Sequence, residues 1–330
     1  MTQDLDTTGM RQVRVTRAGG PQVLQVQTAP VPVPGRGQLV VRMQAAGVAF
    51  GDVTQRQGRN PGKLPAVLGY DVVGTVRAVG PRVEGFVPGD RVAALTMTGG
   101  YASLVLAPAQ WAVLVPAGLE AAQVNALVLN YLTAWQMLHR IARIQAGQSV
   151  LVLGAAGGVG SALVELAQLA GARVYGTAST RRHATLLERG VRVVADQEAI
   201  PERVDAVFDP VGGPSLVRSR KAAKQTGVVV SYGFSFTVDA GHSRAAGLVR
   251  TITALARAKA LPGTRVVLYA VGDAAKRDPA ALRQDLGRLI DLLTARELTP
   301  QVETVPLASA AEATAGSRPG RCSASSSSVP

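Results

Sequence analysis

The run Gly154-Ala155-Ala156-Gly157-Gly158-Val159-Gly160 constrains this chain more than any other stretch. In front of it, Ser149 to Leu153 is short and apolar, as a central parallel strand must be. Behind it, Ser161 to Ala170 sets Leu163, Leu166 and Leu169 on one side of a helix, and Gly171 closes that helix. Arg173 to Thr177 reads as the next strand. Strand, glycine turn, helix and strand make the opening of a doubly wound sheet. In that setting the turn brings backbone N–H groups close to a pyrophosphate, and the helix N-terminus adds the positive end of its dipole. A Cβ in such a turn would block either the ligand or the contact of helix with strand. The spacing is Ala155-x-Gly157-x-x-Gly160, with alanine in place of the first glycine of the common fingerprint. A purely structural turn is the weaker reading, because the strand and the helix stand where a dinucleotide site requires them.

Further β/α units follow at Val191 to Ala195, Val204 to Phe208 and Val228 to Tyr232. Residues 124–273 therefore predict a Rossmann-type parallel sheet. Upstream the grain differs. Gln12 to Thr16, Leu39 to Met43, Val72 to Val79 and Arg91 to Leu95 are short strands punctuated by proline and glycine, as in the turn Pro88-Gly89-Asp90. Leu119 to Ile144 is helical in composition. A helix from Asp278 to Ala295 leaves the parallel domain, and Val302 to Pro306 returns as a strand. Residues 10–123 with 274–314 thus predict an antiparallel, barrel-like β domain. Residues 1–9 read as a loose tail. Residues 315–330, rich in serine, are expected to be disordered.

The chain has 330 residues, with 35 Lys and Arg against 22 Asp and Glu, a net charge of +13. That charge invites a nucleic-acid reading, which the pattern does not support. The basic residues are scattered, the densest group being Arg218-Ser219-Arg220-Lys221 with Lys224, and aromatic residues are only 4%, too few for base stacking. One cysteine, Cys322, cannot build a disulfide framework or a thiolate zinc cage. His139, His183 and His242 have no ligand-like spacing. Met1 to Thr8 carries Asp4 and Asp6, unlike a secretory signal. The uncharged stretch Ala121 to Leu138 contains Gln123, Asn125, Asn130 and Gln136, which suits a buried helix better than a membrane span. No metal and no membrane are expected, and a cytoplasmic location is.

The choice of dinucleotide turns on the end of the second strand. An NAD site wants a carboxylate there for the ribose 2′-hydroxyl. The strand ends Val174-Tyr175-Gly176-Thr177-Ala178-Ser179 without one, and Arg181 and Arg182 follow. Guanidinium groups match a 2′-phosphate in charge and geometry, so NADPH is expected. The plainer alternative makes Arg181 and Arg182 a solvated helix start.

Beyond the loop, several strings carry a resemblance. They are Ala45-Ala46-Gly47-Val48 with Asp52, Leu68-Gly69-Tyr70-Asp71-Val72-Val73-Gly74, and Gly89-Asp90-Arg91-Val92. They continue with Asn130-Tyr131-Leu132-Thr133-Ala134, Thr177-Ala178-Ser179, Asp209-Pro210-Val211-Gly212-Gly213 and Ser231-Tyr232-Gly233. Over residues 10–306 the chain resembles the zinc-independent medium-chain dehydrogenases/reductases of the quinone oxidoreductase group, and within it the vesicle-associated quinone-oxidoreductase-like proteins. The resemblance implies a GroES-like substrate domain, a Rossmann domain, NADPH in the cleft between them, and a homodimer. It implies hydride transfer to a quinone or to the C=C bond of an enone. An enoyl reductase acting on a thioester or polyketide intermediate is the alternative enzyme, and a catalytically weak NADPH-binding protein the alternative of another class.

Carried residue by residue, the resemblance puts Thr133, Ala155, Ala156, Gly157, Gly158, Val159, Gly160, Thr177, Ser179, Arg181, Arg182, Val211, Ser231, Tyr232 and Gly233 at the cofactor. It puts Ala49, Phe50, Asp52 and Tyr70 at the substrate side. The Tyr70 phenol is the candidate proton donor, with a tyrosine merely packed in place as the plainer reading. The zinc-dependent branch has a cysteine where Ala49 stands and a His-Glu pair where Tyr70-Asp71 stands, so the resemblance implies no metal. Two departures stand out. The group often has asparagine at position 49, and Ala49 lacks that amide, which predicts weak turnover of small quinones and a more apolar pocket. The ending from Ala315 replaces an apolar strand of the group, which predicts an unpaired edge in the β domain. A shifted reading frame would account for that ending, and the encoding DNA would then give the apolar strand in the neighbouring frame.

Overall fold

A computed structural model describes residues 9–59, 62–233, 253, 256, 263–316 and 323–325. The chain divides into two compact units, Met1–Leu129 with Ala275–Pro330, and Asn130–Ala274.

The first unit is built on antiparallel pairing. Strands β1 (Met10–Val15) and β2 (Leu24–Ala29) pair with each other, and β1 also pairs with β4 (Ala66–Val67). Strand β3 (Gln38–Val48) is the spine of the larger sheet. It pairs with β5 (Asp71–Val79) and β7 (Leu104–Pro108), and beyond β5 lie β6 (Arg91–Leu95) and β8 (Ala112–Leu114). Leu39, Val41 and Met43 alternate along β3 into a core shared with Val13, Val72, Val76, Val105 and the fully buried Tyr101. Helix α1 (Phe50–Arg56) follows β3 directly. No strong sequence signal marks it, since Ala49 at its N-cap has no side chain to cap with.

Helix α2 (Ala121–Ala126) packs on β3 and β5. The expected domain break at 123/124 falls inside this helix, and the units divide instead between Leu129 and Asn130. The last leg of the first unit contains the helix Pro279–Thr294, whose N-cap Asp278 accepts from the Ala281 N–H at 2.9 Å, and then β15 (Glu303–Val305). Strand β16 (Ser323–Ser325) pairs in parallel with β15 and antiparallel with Ala46, Gly47 and Val48 of β3. Over these three residues the edge of β3 is paired, which corrects the expectation of an unpaired edge. Ladder hydrogen bonds use backbone groups, so a low-complexity Ser-Ala-Ser segment covers that edge as an apolar one would. Ala315 and Gly316 end a helix, Ala310–Gly316, while residues 317–322, Cys322 included, and 326–330 lie outside the described residues, as do residues 1–8 of the expected tail over 1–9.

The second unit is a parallel sheet. Its strands are β9 (Ser149–Val152), β10 (Arg173–Gly176), β11 (Arg192–Val193), β12 (Val204–Asp209), β13 (Ala223–Ser231) and β14 (Arg265–Leu268). Their order is β11-β10-β9-β12-β13-β14, every pair parallel. Every residue of the central β9 is buried, which explains the apolar run that follows Ser149. Strand β14 has no counterpart among the strands expected from sequence. Helix α3 (Leu132–Trp135) packs on helix α4 (Gly158–Leu169), which in turn covers β9 and β10. Among the described residues, no helix is long and apolar enough to cross a membrane.

Candidate functional site

In the second unit the strand order reverses between β9 and β12, and the ligand crevice of a doubly wound sheet lies at the carboxyl ends of the strands at that point. The glycine loop leaves β9 there. Gly154 has a φ of 65°, a conformation that strains any side-chain-bearing residue. It therefore makes the tight turn, one position before the alanine that replaces the usual glycine. Ala155 is fully buried, and its methyl sits 2.8 Å from where a Cβ on Gly176 would lie. The missing side chain on β10 thus makes room for the extra methyl in the loop. A Cβ on Gly160 would come within 2.1 Å of the Gly154 carbonyl oxygen, so only glycine allows the first turn of α4 to close on the loop. Gly157 is the N-cap, and Gly158, Val159 and Gly160 open the helix in half-buried or buried positions, with Ala156 half-buried beside them.

Thr177 ties the end of β10 to this loop. Its carbonyl accepts from the Ala155 N–H at 2.9 Å, and its Oγ1 from the Gly154 N–H at 3.2 Å. Beyond it, Ser179 is exposed and stands at the N-cap position of a single turn, Thr180–Arg182, without a side-chain capping bond. Arg181 is exposed and Arg182 half-buried. His183 follows at the start of helix α5 (His183–Glu188), with its Nε2 3.0 Å from the Ala178 carbonyl.

The exits of β12 and β13 close the other side of the switch point. Fully buried Asp209 organises them. Its Oδ1 accepts from the N–H groups of Val211 (2.8 Å) and Gly212 (3.0 Å), and its Oδ2 from the Ser219 hydroxyl at 2.7 Å. Its carbonyl takes the Tyr232 N–H. A Cβ on Gly233 would lie 2.4 Å from the Pro210 carbonyl oxygen. Val211, Ser231, Tyr232 and Gly233 are thereby held together. Thr133 is buried in α3. Just before it, Asn130 lies against Gly158, and the Tyr131 hydroxyl donates to Glu165 of α4.

The first unit gathers the residues expected at the substrate side. Tyr70 lies across the first turn of α1, where a Cβ on Gly51 would be 2.5 Å from the phenol oxygen. Ala49 and Phe50 lead into the same turn, Ala49 half-buried and Phe50 exposed. Asp52, expected in the substrate pocket, turns inward. It is 1% exposed, and internal donors take up its oxygens. Oδ2 accepts from the Ala49 N–H at 2.9 Å and the Tyr101 hydroxyl at 3.0 Å, and Oδ1 from the Gly69 N–H at 2.9 Å. Asp71, also buried, accepts on Oδ1 from the Gly47 N–H at 2.7 Å and the Asn125 amide at 3.0 Å. Burial pushes the Asp52 carboxyl up to about 7 against the pull of these donors, and Asp71 up to about 6. Burial and the neighbouring Asp52 push the Tyr101 phenol well above its ordinary range.

These positions do not fit a zinc ion. Position 49 offers a methyl, position 70 a phenol packed on Gly51, and position 71 a carboxylate already holding two donors. Among the described residues, no group of three or more His, Cys, Asp or Glu is placed to hold a metal.

Sequence reasoning missed Gly154 as the turn residue and Asp209, Tyr101 and Asn125 as organisers. Asp209 was visible within its glycine-rich string. The partnerships of Tyr101 and Asn125 span 49 and 54 residues and left no local signal.

Comparison with known proteins agrees with this architecture. Residues 35–117 match the family described as alcohol dehydrogenase GroES-like domain, and residues 185–321 match the family described as zinc-binding dehydrogenase. The human synaptic vesicle membrane protein VAT-1 homolog is 35% identical over 258 residues, 73% of this chain. The chain spans 65% of that relative's own length. A quinone oxidoreductase structure from Pseudomonas syringae pv. Tomato DC3000 superposes with a TM-score of 0.82 at 27% identity, covering 96% of this chain and 100% of that one. The mycobacterial protein Rv1454c complexed with NADPH superposes with a TM-score of 0.81 at 28% identity, with the same coverage.

Proposed function

Since the chain belongs to the medium-chain dehydrogenases/reductases of the quinone oxidoreductase type, we propose that it is an NADPH-dependent, zinc-free reductase that delivers hydride to a quinone or to the C=C bond of an enone. The observation that carries this reading is the glycine loop Gly154 to Gly160 at the switch point of a parallel sheet in the order β11-β10-β9-β12-β13-β14. The NADPH-bound relative supports the choice of a nicotinamide cofactor.

The residues divide the work as follows. The N–H groups at the start of α4 have no partner within the helix and would take the pyrophosphate. Arg181 and Arg182 would take the 2′-phosphate, a role that the charge of a guanidinium suits and a neutral side chain does not. Thr133, Ser231, Tyr232 and Gly233 would border the nicotinamide. NADPH, when bound, supplies the hydride. Tyr70 then holds the proton that the reduced acceptor needs at its oxygen or α-carbon.

The test is steady-state NADPH oxidation over a panel of quinones, enones and an enoyl thioester. Turnover of a quinone or enone supports the reading, and turnover of the thioester alone would make the chain an enoyl reductase. NADPH binding without any turnover would leave only the cofactor-binding half of the reading.

A further inference from the structure

The hydrogen bonds of Asp52 and Asp71 have a reciprocal pattern that no cofactor contact requires. Asp52 stands on α1 and reaches to the backbone N–H of Gly69, the residue before Tyr70. Asp71, the residue after Tyr70, reaches back to the backbone N–H of Gly47, two residues before Ala49. Each carboxylate therefore holds the backbone of the segment that carries the other. Between the two crossings lie the residues of the proposed acceptor side, Ala49, Phe50 and Gly51 on one strand of chain and Tyr70 on the other. The Tyr70 carbonyl is fixed as well, accepting from the N–H groups of Thr96 (2.7 Å) and Met97 (2.9 Å).

The two carboxylates are not equivalent. Asp52 carries three donors, one of which is the hydroxyl of a fully buried tyrosine. Another of the three is the Ala49 N–H, at a helix start with no capping side chain. Resting on the reading of Tyr70 and Ala49 as the acceptor side, we infer that Asp52 is a positioning residue. Its ionised carboxylate draws α1 and the Gly69-Tyr70 segment together and so sets where the Tyr70 phenol stands against the acceptor.

The chemistry makes this clamp sensitive to a proton. An ionised carboxylate accepts from all three donors, while a protonated one spends an oxygen on its own hydrogen and releases or weakens at least one of them. Burial raises the Asp52 carboxyl into the neutral range, so the change falls where an enzyme works. The groups facing it are Tyr101, which donates to it, Asp71, whose charge opposes its ionisation, and Tyr70 and Arg56, both of which interact with Tyr101. Among these, Tyr101 can be altered most gently, since phenylalanine keeps the buried ring and removes only the donor.

The experiment compares the wild type with Tyr101→Phe and Asp52→Asn. Each is titrated with NADPH, and kcat and KM for the best acceptor of the panel are followed from pH 5 to 9. For Tyr101→Phe we expect the NADPH dissociation constant to stay within about twofold, while kcat/KM for the acceptor falls about ten- to a hundredfold through misplacement of the pocket. Loss of one donor to the anion moves the acid limb of the profile upward by about one pH unit. Asp52→Asn abolishes that limb. An acid limb and acceptor KM unchanged in Tyr101→Phe would overturn the inference. If the wild type turns over nothing, the proposed function fails separately. Amide hydrogen exchange of the peptides covering 47–53 and 66–72 then decides the clamp. Faster exchange in Tyr101→Phe than in the wild type at one pH supports it, and equal exchange overturns it.

Discussion

At the scale of single residues, a few contacts decide the site. Gly160 is the clearest. A methyl there would overlap the Gly154 carbonyl at 2.1 Å, a backbone clash that no rotamer can relieve. Gly160→Ala should therefore cost about 1–3 kcal/mol of stability in urea denaturation. It should also weaken NADPH binding in a fluorescence titration more than tenfold. Asp209 makes a second case. Removing its carboxylate leaves two backbone N–H groups and the Ser219 hydroxyl without their acceptor. Asp209→Ala should cost about 2–4 kcal/mol on that account. The buried carboxylates act in the opposite sense to most. In the unfolded chain Asp52 titrates near 3.8, in the folded protein near 7, and Asp71 near 6. Between these values the folded state binds the extra protons. The contribution is thus full below about pH 4 and is lost as pH rises through about 6 to 7. Denaturation at pH 5 and at pH 7.5 should show the wild type losing more stability over that interval than Asp52→Asn, and equal losses would remove this account of Asp52. The string around Asp52 was legible, but its role was not. A carboxylate beside a candidate pocket looks like a ligand until its burial and its three internal donors are seen.

At the scale of elements, what was legible followed periodicity and punctuation. β9, β10 and the helix between them stand within a few residues of their expected places, because an apolar run, a glycine turn and a leucine face are all local signals. β14 was missed, being four residues long and expressed only in its pairing with β13. Helix α1 was missed because its first turn holds a glycine and its N-cap is alanine; it is held instead by a carboxylate three residues on. The ending taught the clearest lesson. Composition marked it as low-complexity, yet Ser323–Ser325 completes a ladder on β3, because an edge offers its backbone to whatever segment reaches it. Removing residues 317–330 should therefore speed amide exchange at Ala46, Gly47 and Val48. Unchanged exchange there would show that the pairing contributes nothing.

At the scale of the whole molecule, the parallel unit is inserted into the chain of the antiparallel one, which resumes at Ala275. The change of grain along the sequence carries the same expectation, since alternating β/α units and proline-punctuated strands differ in pattern over dozens of residues. The net charge of +13 belongs to this scale as well. The basic residues behind it are scattered along the sequence, and a field of that sign would favour an anionic cofactor. NADPH affinity should fall as salt rises from 50 to 500 mM, as expected with a Debye length of about 10 Å at 0.1 M. The fall should be shallower in Arg182→Ala. The central claim is that this sheet and its glycine loop hold NADPH, with Arg182 at the 2′-phosphate. The most direct measurement is a fluorescence titration of the wild type and of Arg182→Ala with NADPH and with NADH. The account predicts tighter binding of NADPH by the wild type and loss of that preference in the variant. Failure of the wild type to bind either nucleotide would contradict it.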